Sequence, residues 1–509
     1  MKKLSVEEIR ARLAGILFSC CRLIVLFSSF LTMQVERYIA TADLGSAKVS
    51  LCIAKVTGEE ANVIYYKEEP SDGVQYSRVI HPRRVAIALR KLIEDAEKEL
   101  GIKLRQVVVG LPRYEIHQVA ATARMDRSDP DSLITREEVN SLKSCAVESY
   151  PIENVAREEI YGAVAQSFSA DEDFTNVSEA DIAGVTAEKI DGNFKLFIGP
   201  SKPVHNLDIM FNGMGLAIAR KLFAPDAVAS AVLTETERAN GVALIEIGAG
   251  VTSLSIYRGK VLRHFSSIPF GGWAITNDIA LECGFDERLA ENIKLAFGAC
   301  LPVKCRSISE KILQVNDNET GSYERLSINQ LSEIITCRAK EIMEAILYNL
   351  QESGYADSIR SGWVLTGGGA NLINFAPLLR EMSGYKVRIG FPRRQTFSAF
   401  GYPEVFETSA SASIGMILEA KRDLRLNCAE DQGIEIEPEI QSPDTTEDEL
   451  FPPTEGGVIV PPPSGGKKPS NGRVVKWLER TRNKAEAAVK IVFDNTLGGL
   501  FDEMEDEIH

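Results

Sequence analysis

The sequence predicts an α/β chain of two related lobes that close on a phosphate-bearing ligand, and three glycine turns predict it. They are Ala42-Asp43-Leu44-Gly45-Ser46-Ala47-Lys48, Ile245-Glu246-Ile247-Gly248-Ala249-Gly250-Val251-Thr252 and Val364-Leu365-Thr366-Gly367-Gly368-Gly369-Ala370. The first two each follow an apolar, β-branched run, and the third follows Trp363-Val364-Leu365. Residues this small let backbone N–H groups approach an anion closely. One such turn is weak evidence. Three, two of them widely separated copies of strand then turn, imply a phosphate clamp from two related domains plus a base-binding loop.

Composition sets the frame. A chain of 509 residues with 44% hydrophobic content holds several domains and a sizeable core. The net charge of −15 excludes nucleic acid as the general partner, because phosphate backbones need a basic surface. Nine scattered cysteines, none in a CxxC pair, suit reduced thiols in a cytosolic chain. The five histidines form no metal-ligand cluster in the sequence.

At the N-terminus, residues 14–31 are largely apolar, but Arg22 stands within them. A spanning helix needs about 20 apolar residues, and a central Arg is costly. Lys2-Lys3 ahead of an apolar stretch suits a signal peptide, yet Glu7, Glu8, Arg10 and Arg12 follow without a small-x-small cleavage site. Residues 1–33 therefore read as an extension, with translation expected to start at Met33. A peripheral extension and a membrane segment are the alternatives.

Residues 38–56 read as strand, turn and strand. Residues 82–101 form an amphipathic helix, with Val85, Ala88, Leu89, Leu92, Ile93 and Ala96 at helical spacing. Gln106–Gly110 is a short buried strand. Beyond Tyr114 the pattern changes to short strands, among them 162–166, 182–190 and 194–199, with one helix at 136–150. A helix is expected at 207–224, a small mixed segment near 285–335, a long helix at 328–351 and a last core helix at 410–424.

Residues 427–472 read as a linker. Eight prolines lie between Pro438 and Pro469, acids crowd 430–455, and such a segment cannot bury enough apolar surface to fold. Residues 473–493 then form a basic amphipathic helix. Val474, Trp477, Leu478, Ile491 and Val492 fall near one face, and six basic residues, Lys476 and Arg480 among them, stand against two acids. Such a helix behind a linker suits an anionic membrane surface, each basic residue contributing about 1 kcal/mol. A partner-binding helix and a helix docked on the core are the alternatives.

Further segments carry a resemblance. They are Gly241-Val242-Ala243-Leu244-Ile245, Tyr257-Arg258-Gly259-Lys260-Val261-Leu262-Arg263-His264, Ile268-Pro269-Phe270-Gly271-Gly272, Ala290-Glu291-Asn292-Ile293-Lys294 and Val387-Arg388-Ile389-Gly390. The order of the three turns resembles the actin/Hsp70/sugar-kinase superfamily, with its phosphate-1, phosphate-2 and adenosine motifs. Within it the chain is similar to the bacterial cell-division FtsA family over residues 34–426 and in a C-terminal helix.

That resemblance implies an actin-like two-lobed fold of duplicated ribonuclease H-like domains, with an inserted α+β subdomain and a C-terminal amphipathic helix. The first lobe would span 34–114 and 205–240, with the inserted subdomain at 115–204 serving protomer or partner contacts. The second lobe would span 241–284 and 336–426. A small subdomain at 285–335 would hold the C-terminal tail of the tubulin-like FtsZ. Residues 427–472 would be the linker, and 473–509 the membrane-targeting helix and acidic tail. The implied role is a filament-forming scaffold that tethers FtsZ to the cytoplasmic face of the cell membrane at the septum and meets downstream divisome proteins.

The resemblance also implies site roles for ATP and Mg²⁺. Asp43 would hold a Mg²⁺-bound water. Gly45, Ser46 and Ala47 would offer N–H groups to the β-phosphate, with Lys48 either neutralising phosphate or facing solvent. Gly248, Ala249, Gly250 and Val251 would cradle the β/γ-phosphates, and Gly367, Gly368 and Gly369 would pass under the adenosine. Glu291 and Lys294 would contact ribose and adenine; a surface i,i+3 ion pair is the plainer alternative. The second turn departs from the family pattern: Glu246 replaces Asp, Ala249 replaces Gly, and Val251 replaces Thr. A carboxylate moved by a methylene mispositions Glu246, the candidate catalytic residue, and errors near 1 Å lose about 10²-fold in rate. Nucleotide binding with weak or no hydrolysis is the expectation. A pilus-assembly relative and a small-molecule kinase of the same superfamily are the alternatives; the basic tail weighs against both. An Hsp70-type chaperone would carry a β-rich domain where the linker stands.

Overall fold

The computed structural model describes residues 36–301, 312–316 and 323–430. The expectations for residues 1–33, for 431–472 and for the basic helix at 473–493 lie outside them.

Two sheets repeat one plan. In the first, Arg37–Leu44, Lys48–Thr57 and Glu60–Pro70 form an antiparallel meander. Gln106–Gly110 then runs parallel to Arg37–Leu44, and Ala217–Leu222 runs parallel to Gln106–Gly110. In the second, Val242–Ile247, Thr252–Arg258 and Val261–Ile268 form the meander. Trp363–Thr366 and Val387–Ile389 add in parallel. The central strands are near-continuous apolar runs because both faces are covered. Ser50 bonds Ser413 of the helix Ser411–Ala420 (2.9 Å). Ile53, three residues on and so on the other face, pairs with Tyr65, whose hydroxyl reaches Leu92 of the helix Pro82–Leu100 (3.0 Å). The long helix Ile328–Glu352 buries Leu331, Ile335, Ile342, Ile346 and Leu350 in the core of the second lobe. It runs as one element across residue 335.

The insertion is a four-stranded antiparallel sheet of His117–Asp126, Lys189–Pro200, Glu158–Ala170 and Phe174–Val177. The helix Arg136–Ser149, closed by a capping box of Thr135 and Glu138, covers it. Leu142, Phe168, Ile190, Phe194 and Leu196 give it a core of its own. It emerges from the first lobe and rests on Val261–Ile268, the edge strand of the second. Gln118 bonds His264 there (2.6 Å), and Gln166 bonds the Leu262 carbonyl (3.0 Å). Phe197 of the insertion, Phe223 of the first lobe and Phe265 of the second pack together at the junction.

Several elements differ from the sequence reading. The strands expected at 182–190 and 194–199 are one strand, Lys189–Pro200. Asp191-Gly192-Asn193 looks like a turn but stays in the ladder, where Arg124 on the neighbouring strand grips Asp191 (2.6 and 2.9 Å). Ser178 caps a helical turn, Glu179–Ile182, where the first of those strands was expected to start. The helix expected at 207–224 is three elements: Ser201–Gly213, the strand Ala217–Leu222 and Ala224–Val232. Gly215, at φ +69, ends the first. Residues 427–430, assigned to the linker, are packed: Cys428 is buried and bonds the Tyr38 carbonyl (2.7 Å), and Arg105 pairs with Glu430 (2.8 Å). Among the described residues no helix is long and apolar enough to cross a membrane.

Candidate functional site

The first two glycine turns occupy the same place in the two repeats, between the first and second strands of each meander. They share one hydrogen bond. Gly45 donates to the Lys48 carbonyl (3.0 Å), and Gly248 donates to the Val251 carbonyl (2.9 Å). A β-carbon at Gly45 or Gly248 would stand 2.8 or 3.0 Å from that same carbonyl, so each turn needs glycine. An acid sits two residues ahead of each, Asp43 in one and Glu246 in the other. The turns also face each other. A β-carbon at Gly250 would lie 3.0 Å from the Ser46 hydroxyl, which accepts from the Ser77 N–H (3.2 Å). Two close backbone turns, one from each lobe, fit a phosphate chain between them.

Asp43 and Glu246 meet through Arg113, which the sequence reading missed. Its Nη1 donates to Glu246, and its Nη2 stands 3.6 Å from Asp43. All three side chains are largely buried, at 17% exposure for Arg113, 19% for Asp43 and 11% for Glu246. Burial pushes the Glu246 carboxyl up, opposed by the guanidinium and reinforced by the like charge of Asp43. Burial alone would lower Arg113, but Glu246 and Asp43 outweigh it and hold its guanidinium charged. The signal was a cation just beyond the buried strand Gln106–Gly110, which lies parallel to the strand bearing Asp43 and so ends beside it.

The second turn is braced from behind. Gly272 and Trp273, at the start of the helix Gly272–Cys283, donate to the carbonyls of Gly248 and Ala249 (2.9 and 2.8 Å). Lys294 bonds the Gly272 carbonyl (3.0 Å), Thr276 (2.8 Å) and Glu291 (2.7 Å), and Glu291 also accepts from Thr276. The Lys294 side chain is only 10% exposed, and burial lowers its pKa. The Glu291 side chain is 35% exposed, so the pair is half-buried, with Lys294 turned inward to brace the second glycine turn through Gly272.

The third turn lies beside the second, because Trp363–Thr366 and Val242–Ile247 are parallel neighbours ending at the same edge. Gly369 packs on Ile247, and Thr408 holds Gly367 through both its carbonyl (3.2 Å) and its hydroxyl (2.9 Å). Ligands of open α/β sheets bind at such strand ends. Lys48 is paired with Glu68, which also accepts from Tyr66. The Mg²⁺ expected beside Asp43 would meet a cation of the protein's own, because Arg113 fills the space between the two carboxylates.

The family model of the cell division protein FtsA matches residues 243–415. The chain is 27% identical over 363 residues to the cell division protein FtsA of Neisseria meningitidis serogroup B, covering 71% of this chain and 85% of that one. It is 28% identical over 366 residues to that of Streptococcus pneumoniae, covering 71% and 77%. Against that of Bacillus subtilis it is 26% identical over 392 residues, covering 77% and 85%. Among solved structures it is similar in fold to a chain of a PilM-PilN type IV pilus biogenesis complex. That match has a TM-score of 0.52 at 15% identity, covering 76% of this chain and 98% of that one.

Proposed function

On the premise that this chain is a relative of the cell division protein FtsA with an actin-like fold, we propose that it is an ATP-binding scaffold of bacterial cell division. The observation that carries the nucleotide reading is the pair of matching turns, Gly45–Lys48 and Gly248–Val251, set face to face across two lobes. In this reading Gly45, Ser46 and Ala47 cradle one side of the phosphates, and Gly248, Ala249, Gly250 and Val251 the other. Gly367, Gly368 and Gly369 back the adenosine. Mg²⁺ enters as the nucleotide's own companion on the phosphates.

Hydrolysis is weak or absent. An in-line water needs a group free to orient it, and Glu246, the candidate for that role, is both a methylene longer than Asp and held by Arg113. The nucleotide then acts by holding the lobes together. The insertion, folded around its own core, supplies contacts between protomers or to divisome partners. The segment near 285–335 takes the FtsZ tail, and the basic helix at 473–493 binds anionic lipid on the cytoplasmic face of the membrane.

Vesicle co-sedimentation of the chain starting at Met33, with ATP and FtsZ, tests the whole reading. On anionic vesicles the chain and FtsZ pellet together; a version ending at Asn471 leaves both in the supernatant. Equal pelleting by both versions, or none by either, removes the tether. Phosphoryl transfer to a small-molecule acceptor would favour the kinase instead; none is expected.

A further inference from the structure

We propose that Arg113 is the resident counter-cation of the cleft, so that nucleotide phosphates bind without help from a divalent ion. The inference rests on the nucleotide reading above and deepens it. Asp43 and Glu246 come from different lobes, yet both carboxylates face one guanidinium. Were the cleft built around a metal, two ionised carboxylates would face each other with nothing of the protein's own between them. Here their mutual repulsion is already offset by a cation that cannot dissociate.

A guanidinium has five N–H donors in a planar fork. Arg113 commits Nη1 to Glu246 and directs Nη2 to Asp43 at a looser 3.6 Å. Its remaining N–H groups lie between the acids of the two glycine turns, beyond the bond to Glu246 and the ion pair with Asp43. Guanidinium binds phosphate oxygens by paired, charge-assisted hydrogen bonds and is more weakly hydrated than ammonium. A phosphate entering the clamp meets Arg113 together with the backbone N–H groups. A divalent ion seeking Asp43 meets a cation already there. Because Arg113 belongs to the first lobe and Glu246 to the second, the same group also reports closure of the cleft.

The test is calorimetric titration of the full chain with ATP, in excess EDTA and in excess magnesium chloride. The expected affinities agree within about threefold, a difference well under 1.4 kcal/mol. Arg113→Gln loses about tenfold or more in EDTA, the scale of one charge-assisted hydrogen bond, and regains part of it with magnesium, which then has two unpaired carboxylates to bind. Arg113→Lys, which keeps the charge and loses the fork, falls between. ATP binding by the unaltered chain only when magnesium is present overturns this inference and leaves the nucleotide reading intact, and needs no variant to fold. An Arg113→Gln protein that matches the unaltered chain in EDTA also overturns it. No ATP binding in either buffer overturns both.

Discussion

Gly250 and Ser46, one from each glycine turn, stand in close approach: a β-carbon at 250 would lie 3.0 Å from the Ser46 hydroxyl and 3.5 Å from the Tyr76 N–H. A side chain at 250 must push Ser46 aside by a few tenths of an ångström.

Gly250→Ala therefore shifts Ser46 against its bond to the Ser77 N–H. Fluorescent-nucleotide titration should show about tenfold weaker binding, near 1.4 kcal/mol, with little change in the urea midpoint. Unchanged affinity would mean that the phosphates do not pass between these turns.

The helices Ser411–Ala420 and Ala224–Val232 cross so closely that a β-carbon at Gly415 would overlap the Ala227 carbonyl. Backbone, unlike a flexible side-chain end, cannot swing aside. Gly415→Ala should cost about 1–3 kcal/mol, the usual penalty of overpacking, read as a lower urea midpoint. A midpoint equal to the parent's would refute the close crossing.

His264 gives stability a pH dependence of known sign. Burial and, secondly, Lys195 push its pKa down to about 4 from 6.5. Gln118 Nε2 donates to Nδ1, so the neutral ring is the bound form. The unfolded chain takes up the proton first, so this contribution is intact above pH 6.5, erodes as pH falls toward 4 and is then constant. After allowance for solvent screening it is worth about 2 kcal/mol. Stability curves of the parent and His264→Gln should converge over that window; parallel curves would remove His264 as the cause.

Trp477 is expected to anchor the basic helix. Trp477→Ala should weaken binding to anionic vesicles about tenfold, in line with the apolar area withdrawn from the interface, and leave ATP titration unchanged. Equal vesicle binding would point to the basic residues alone, or away from this helix.

The three turns were legible because they are local: a strand, then glycine, then small residues, each written in consecutive positions. The helix Pro82–Leu100 was legible for the same reason, with a uniform 3.6-residue period, proline at its start and Gly101 closing it. Arg113 was not, because its meaning lies in Asp43, brought beside it by strand pairing, and in Glu246 of the other sheet, both far away in the chain. The strand Ala217–Leu222 was read as helix because Ala-Ile-Ala-Arg-Lys-Leu has good helix formers; its place beside Gln106–Gly110 overrides that propensity. Glu291 and Lys294 were placed correctly three apart on one helix, but only their bonds to Gly272 and Thr276 show that they face the second turn.

The insertion is rooted in one lobe and bonded to the edge strand of the other, through Gln118 and His264 and through the Phe197, Phe223 and Phe265 cluster. It is thus a strut between the two lobes. Widening the cleft must either tilt the strut or part its far footing, so the angle between the lobes and the orientation of the insertion are a single mechanical coordinate. A load applied to the insertion is carried to the cleft between the lobes, and whatever holds that cleft closed sets the direction in which the insertion points.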